Sequence, residues 1–261
     1  MMVDGFLRDL EKLKEYSKNK VRQRCYKLKY GSAAPVVDDL IQINPNDVNY
    51  LLAPRFQREL STFGTYVRSG EWDRNYTEKG LFWANNYEHK FNCPTLVNFD
   101  NYVFYQSVLK HFTKGVPWQQ TEIYNWFLKN KDENIYRYET EERINQRLEW
   151  IDDLYHNIKN NGYKKQSEMG KENSALRSPE YFEVCVNIGR NGEIIFDDGR
   201  HRFAVAKSIG GINTIPARVL VRHAGWQKIR NKIAEADSKK DLSRNLRCYV
   251  DHPDIKNLSP D

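Results

Sequence analysis

Residues 196–206 read Phe-Asp-Asp-Gly-Arg-His-Arg-Phe-Ala-Val-Ala, and this stretch decides both the local fold and the candidate site. It continues the apolar run at 194–196, which is typical of a strand, and passes into apolar positions at 203–206 that suit one face of a helix. The stretch therefore predicts a strand that turns into a helix at Gly199. At the start of a helix the first backbone N–H groups have no partner within the helix, and with the positive end of the helix dipole they attract an anion.

The residues around Gly199 carry side chains that suit such an anion. Arg200 and Arg202 supply fork-shaped donors for phosphate oxygens, and His201 can donate to a phosphate or relay a proton. Three basic groups at a helix start repel one another and the helix end, so a bound anion is the simplest compensation. A loop in which the arginines only pair with the preceding aspartates stays open as an alternative.

Carboxylates before the turn and upstream of it are the other candidates. Asp197 and Asp198 can hold Mg²⁺ or orient the arginines. In Gly70-Glu71-Trp72-Asp73 an aromatic ring stands between two carboxylates, so Asp73 is a candidate general base beside an acceptor-binding ring. A packed turn is the alternative for that motif. Arg222 follows in the next strand, and we expect it to reach the same ligand.

Regular elements flank the turn on both sides. A helical period begins after Thr140, which can cap it, and ends at Gly162. A hairpin with its turn at Asn191-Gly192 leads into the glycine turn, and a strand follows at 214–221. The order is therefore helix, hairpin, turn, helix and strand.

The pattern divides the chain into three regions. Residues 1–130 are rich in aromatic side chains, with a helical period at 3–16 and a basic segment at 18–29, and we expect them to be helical and irregular. Residues 131–230 contain the hairpin and the turn, and 231–261 form a helix and a tail. The prediction is an α+β protein in which a helical, aromatic-rich N-terminal part surrounds a small mixed sheet.

The composition limits the class of protein. Of the 261 residues, 39% are hydrophobic and 13% are aromatic, which is enough to fill a core. No apolar run is long enough to span a membrane, and charges interrupt the first ten residues where a signal sequence would be apolar, so we expect a cytoplasmic protein. The four cysteines lack C-x-x-C spacing, which disfavours a zinc site, and the net charge of +6 favours phosphorylated or polyanionic partners.

Four segments together resemble a known superfamily. Residues 154–163 (Leu-Tyr-His-Asn-Ile-Lys-Asn-Asn-Gly-Tyr), the hairpin, residues 198–206 (Asp-Gly-Arg-His-Arg-Phe-Ala-Val-Ala) and residues 215–219 (Ile-Pro-Ala-Arg-Val) follow one another. This order is similar to the ParB/sulfiredoxin fold, in which a helix ending at glycine precedes a strand pair, a G-x-x-R loop and an Ile-Pro strand. The likeness covers roughly residues 140–225, so it implies that this region adopts a ParB/sulfiredoxin-like mixed sheet.

The turn looks most like the Asp-Gly-His-His-Arg loop of free-serine kinases in that superfamily. This resemblance implies that Gly199, His201 and Arg202 hold the phosphates of a nucleotide such as ATP, ADP or CTP, with Asp198 near Mg²⁺ or an acceptor hydroxyl. The implied function is a Mg²⁺-dependent phosphotransferase or nucleotide hydrolase that acts on a small hydroxyl-bearing metabolite. In such an enzyme Arg200 would help to stabilise the phosphoryl oxygens.

The departures from the superfamily leave two other functions open. Arg200 stands where sulfiredoxins carry a catalytic cysteine, and we expect too few residues after Trp226 for the helix-turn-helix of chromosome-partitioning proteins. One alternative is a DNA-binding or nuclease-like protein that places the turn and residues 18–29 on backbone phosphates. The other is a binding module that senses a nucleotide without turnover. The sequence leaves the oligomeric state open.

Overall fold

The computed structural model describes residues 17–37, 39–53, 65–74, 76–77, 96–130, 140–170 and 179–258. The helix predicted at residues 3–16 lies outside this part of the chain. The described residues form a mixed α+β arrangement, which confirms the predicted class. No helix among them combines the length and the apolar character that crossing a bilayer requires.

The described strands form one mixed sheet. They are β1 (Leu40–Ile43), β2 (Tyr50–Leu52), β3 (Tyr66–Arg68), β4 (Tyr76–Thr77), β5 (Leu96–Asn98), β6 (Val184–Ile188), β7 (Ile194–Asp198) and β8 (Ile215–His223). Across the sheet the order is β1-β8-β6-β7-β2-β5-β4. β1 pairs with residues 215–218 of β8, and β3 pairs with residues 221–223 of the same strand.

The described helices flank and follow this sheet. They are α1 (residues 17–30), α2 (Val103–Lys114), α3 (Glu122–Lys129), α4 (Glu141–Asn161), α5 (Arg200–Ile209), α6 (Ala224–Ala234) and α7 (Arg244–Arg247). α4 begins and ends as its sequence predicts. The Thr140 hydroxyl accepts a hydrogen bond from the Arg143 N–H, and the helix ends at Gly162, which has a positive φ of 75°.

Apolar side chains cover both faces of the sheet, because successive residues of a strand point to opposite faces. On one face Phe99 packs against Phe196 of β7 and Phe203 of α5, with ring centroids 5.3 and 4.9 Å away. α5 also packs against α2 and α4 on this side. On the other face Trp72 and Leu220 belong to a second, smaller cluster of buried residues.

Strand register decides which side chains meet at each end of the sheet. Cys185 of β6 is opposite Asp198 of β7 and beside Arg218 of β8. Ile188, at the other end of β6, is opposite Ile194 and beside Arg222. The glycine turn, defined as residues 198–202, therefore lies at the Cys185 end of β6, while the hairpin connection at 189–193 lies at the Ile188 end.

Strands β1 to β5, from residues 40–98, belong to the same sheet as β6 to β8. The sequence predicts a helical and irregular region there, separate from residues 131–230. The strands involved are two to four residues long. Such short segments show too few alternating positions for a period of two to be recognised. The sheet therefore crosses the region boundary that the sequence suggests at residue 130.

Candidate functional site

The glycine turn has the strand-to-helix geometry that its sequence predicts. β7 ends at Asp198, Gly199 adopts a left-handed conformation with φ 89° and ψ 28°, and α5 begins at Arg200. A Cβ on Gly199 would lie 3.0 Å from the Val184 Cα on the neighbouring strand. Glycine is therefore required here for two reasons, its positive φ and its close approach to β6.

The first turn of α5 is basic and contains no acidic residue. Its side chains belong to Arg200, His201 and Arg202, and the hydrogen bonding of the helix begins with the Phe203 N–H donating to the Gly199 carbonyl, at 3.0 Å. The N–H groups of residues 200–202 precede this first helical hydrogen bond, so the positive end of the helix coincides with three basic side chains. This combination favours an anionic ligand.

His201 is held in a fixed position by its neighbours. Its ring packs edge-on against Phe104, at 5.1 Å, and Trp150, at 5.6 Å. The Arg147 Nη2 lies 3.3 Å from the His201 Nδ1. Because a guanidinium only donates hydrogen bonds, Nδ1 is the acceptor and the ring proton lies on Nε2. His201 is thus a neutral, packed imidazole that links α5 to α4.

Arg202 has buried partners of its own. Its Nη1 donates to the Glu183 Oε2 at 2.8 Å, its Nη2 donates to the Lys164 carbonyl, and its guanidinium carbon lies 4.4 Å from the centre of the Tyr163 ring. The Glu183 side chain is 1% exposed, and its other oxygen accepts from the Gln166 N–H. The sequence assigns Arg202 to ligand phosphates, but its guanidinium also neutralises a buried carboxylate.

Asp197 is buried behind the turn instead of facing it. Its Oδ2 accepts a hydrogen bond from the Asn187 Nδ2 at 2.6 Å, and the Asn187 Oδ1 accepts from the Val221 N–H. Burial and the charge of Asp198 raise the pKa of Asp197, the Asn187 hydrogen bond and Arg218 lower it, and the net result is a pKa of about 7. Asp197 is therefore a carboxyl group that titrates close to neutral pH.

Asp198 is exposed at the turn, and its Oδ1 accepts a hydrogen bond from the Gly199 N–H at 2.7 Å. Asp197 and Asp198 point to opposite faces because they are consecutive in a strand. The residues that the structure describes contain no group of three or more His, Cys, Asp or Glu side chains able to hold a metal. Mg²⁺ on a phosphate needs one or two protein carboxylates, so Asp198 fits a metal that arrives with its ligand, and Asp197 does not.

Asp73 lies at the other end of the β6–β7 hairpin. Its carboxylate accepts hydrogen bonds from the Arg190 N–H at 2.7 Å and from the Arg190 Nη2 at 2.6 Å. Burial raises the pKa of Asp73, but the hydrogen bonds from Arg190 and the charges of His223 and Arg190 together lower it more, so the net pKa is below the usual value. Since β7 has five residues, about 13 Å of strand separates this cluster from Asp198. The structure does not bring Asp73 and the turn together, and the predicted motif is a packed turn in which Trp72 is buried.

Arg222 is likewise distant from the turn. It donates from Nε and Nη2 to both oxygens of Asp254, and both side chains are 1% exposed. The same carboxylate accepts from the Trp226 Nε1 and contacts the Arg230 Nη1, each at 2.8 Å. Contrary to the prediction from the sequence, Arg222 therefore does not extend to the turn but forms a buried ion pair with the C-terminal segment.

The structure brings side chains to the turn that the sequence does not assign to it. Arg147 and Trp150 come from α4, and Arg218 lies in β8 beside Cys185, with its guanidinium 4.5 Å from the Tyr181 ring centre. Register explains Arg218, since Cys185 of the intervening strand β6 pairs with both Arg218 and Asp198. The sequence does offer one signal for Arg147 and Trp150. On an amphipathic helix, a tryptophan lies outside the apolar face and follows an arginine by three residues.

Cys185, which lies near the turn, has an unreactive thiol. Cys185 is buried, and burial raises the pKa of its thiol to about 12. Its Sγ lies 3.4 Å from the Glu183 carbonyl.

No protein-family model, curated protein or solved structure matches the chain. The likeness to the ParB/sulfiredoxin fold stays a prediction from the sequence.

Proposed function

We propose that the glycine turn binds the phosphates of a nucleotide. The observation that carries this proposal is the first turn of α5, where the side chains of Arg200, His201 and Arg202 coincide with the positive helix end and no acidic residue lies within the turn itself. Arg202 is neutralised by Glu183, so Arg200 and the backbone N–H groups are the donors we assign to the phosphate oxygens. The resemblance of residues 198–202 to a kinase loop supports the same ligand class.

The proposed reaction is transfer of a terminal phosphate to a small hydroxyl-bearing acceptor, or to water. The acceptor oxygen forms a bond to phosphorus, the bond from phosphorus to the leaving nucleotide oxygen breaks, and the hydroxyl proton passes to a carboxylate. Asp198 is our candidate for that carboxylate because it is exposed beside Gly199. Mg²⁺ bound to the phosphates would neutralise charge that develops in the transfer. Arg200 would position the phosphate, and His201 would hold Arg147 in place.

The alternative use of the turn on a DNA backbone has less support. Exposed basic residues on α1 would have to extend the basic surface of the turn. The Tyr26 hydroxyl of α1 instead accepts a hydrogen bond from the Val67 N–H of β3, at 2.9 Å, and β3 pairs with residues 221–223 of β8. The turn lies beside Arg218, at the other end of that strand. We therefore favour a nucleotide over a nucleic acid.

A thermal-shift panel of ATP, ADP, CTP and GTP, with and without Mg²⁺, tests the proposal. A nucleotide at 100 times its Kd adds about 2.7 kcal/mol to the free energy of unfolding, which is a measurable rise in Tm. Arg200→Ala should abolish the rise, whereas Arg244→Ala, an exposed arginine on α7, is the matched control and should keep it. A chain that none of the four nucleotides stabilises would rule the proposal out. An affinity for duplex DNA that falls steeply as salt is added, in a chain that no nucleotide stabilises, would favour the alternative.

A further inference from the structure

Trp150 is exposed although it is the largest kind of apolar side chain. α4 buries one face through Ile144, Leu148, Ile151 and other apolar residues, and Trp150 lies off that face with 41% of its surface exposed. Single exposed apolar residues are common and need no explanation by themselves. Trp150 is of functional interest because it lies beside the glycine turn.

Arg147 connects Trp150 to the turn. The two residues are three positions apart on α4, so they share one side of the helix. The Arg147 guanidinium carbon lies 4.1 Å from the centre of the Trp150 ring, and its Nη2 reaches the His201 Nδ1 at 3.3 Å. The Trp150 ring is itself 5.6 Å from the His201 ring, which belongs to the second residue of α5. An exposed aromatic ring with a cation on it thus lies directly beside the proposed phosphate site.

We infer that Trp150, supported by Arg147, is the surface on which the ring of the bound nucleotide stacks. This inference rests on the proposed function, since it assigns the second half of the same ligand. A phosphate at the first turn of α5 leaves the rest of the ligand free to extend along α4. A planar base that stacks on tryptophan there contributes roughly 1–3 kcal/mol, and the contact tolerates any base because each has a flat face. Trp150 is therefore a specificity-determining residue that distinguishes a nucleotide from a ligand consisting of phosphate alone.

The Arg147 guanidinium adds to this platform in two ways. A cation over an indole face is favourable, so Arg147 keeps the Trp150 ring at a fixed orientation. Its fixed positive charge also lies between the ring and the turn, where the sugar and first phosphate of a nucleotide would pass. Base tolerance follows from the stacking contact with Trp150, because every base has a flat face.

Isothermal titration with matched ligands tests this inference. The probes are ATP, CTP and inorganic tripolyphosphate, which share three linked phosphates but differ in the presence of a base. We expect Trp150→Leu to weaken ATP and CTP by about tenfold and to leave tripolyphosphate within about twofold, while Trp150→Phe keeps most of the nucleotide affinity. Because Trp150 is exposed, both variants should fold as the parent does, and their Tm without ligand checks this.

Each other result has a separate meaning. If Trp150→Leu leaves ATP and CTP affinity unchanged, or weakens tripolyphosphate equally, the stacking role is overturned while phosphate binding at the turn stands. If the parent protein binds none of the three probes, the proposed function itself fails. Tryptophan fluorescence gives a second readout, since stacking of the base should quench part of the emission of the parent and this part should be absent from Trp150→Phe.

Discussion

At the scale of single residues, Asp197 is the group whose charge state matters most near the turn. It accepts a hydrogen bond from Asn187, the positive charge of Arg218 favours its ionised form, and the negative charge of Asp198 disfavours that form. A buried carboxyl beside an anion site favours the protonated form, and a bound phosphate favours it further. The sequence indicates Asp197 and Asp198 as a pair, but alternation along the strand separates them into one buried acid and one exposed acid.

Asp197 makes stability depend on pH. The pKa of Asp197 is raised from 3.8 to about 7 on folding, so between these values the folded state holds a proton that the unfolded state has lost. The free energy of unfolding should therefore fall as pH rises from about 4 to about 7, by on the order of 3 kcal/mol from this group. Asp197→Asn should remove this fall, as urea unfolding at pH 5, 6, 7 and 8 would show. The exposed Asp153→Asn is the control, and equal slopes for Asp197→Asn and the parent would contradict the assignment.

At the scale of elements, both ends of α4, the start of α5 and the hairpin between these helices could be predicted, because each has a local signal. Thr140, Gly162, Asn191-Gly192 and Gly199 all lie where the structure needs a cap, a turn or a positive φ. The partners of Arg202 could not be predicted in this way. Glu183 is 19 residues from Arg202 in sequence, and only the pairing of β6 with β7 brings it to the start of α5.

The Arg202–Glu183 ion pair holds α5 to the segment before β6. Arg202→Ala leaves the buried Glu183 carboxylate uncompensated, so we expect a loss of about 3–5 kcal/mol in the free energy of unfolding, measured in urea. Arg200→Ala, its neighbour on the same turn, should change stability by less than about 1 kcal/mol. The double variant Arg202→Met with Glu183→Gln should recover part of the loss, because it removes the buried charge as well. Full stability of Arg202→Ala would show that the ion pair has no structural role.

At the scale of the whole molecule, three polar clusters among the described residues have different roles. The glycine turn lies at the Cys185 end of β6, the Asp73–Arg190 cluster joins residues 70–73 to the hairpin at the other end, and Asp254 joins the C-terminal segment to β8 and α6. In the last two clusters the paired residues are 117 and 32 positions apart in the sequence, so no local pattern predicts that they pair. The buried ion pairs of these two clusters hold the fold together, whereas the half-buried basic side chains of the turn lie at the positive end of α5, where we propose that the ligand binds.

Backbone amide shifts in a nitrogen-15 NMR titration with ATP and Mg²⁺ test the central claim most directly, because they report where a ligand binds without relying on activity. If the glycine turn is the phosphate site, the largest shifts should fall on residues 199–202, followed by those around Arg147 and Trp150. Largest shifts at residues 70–73 and 189–193, or on α1, would instead place the ligand elsewhere and contradict the account.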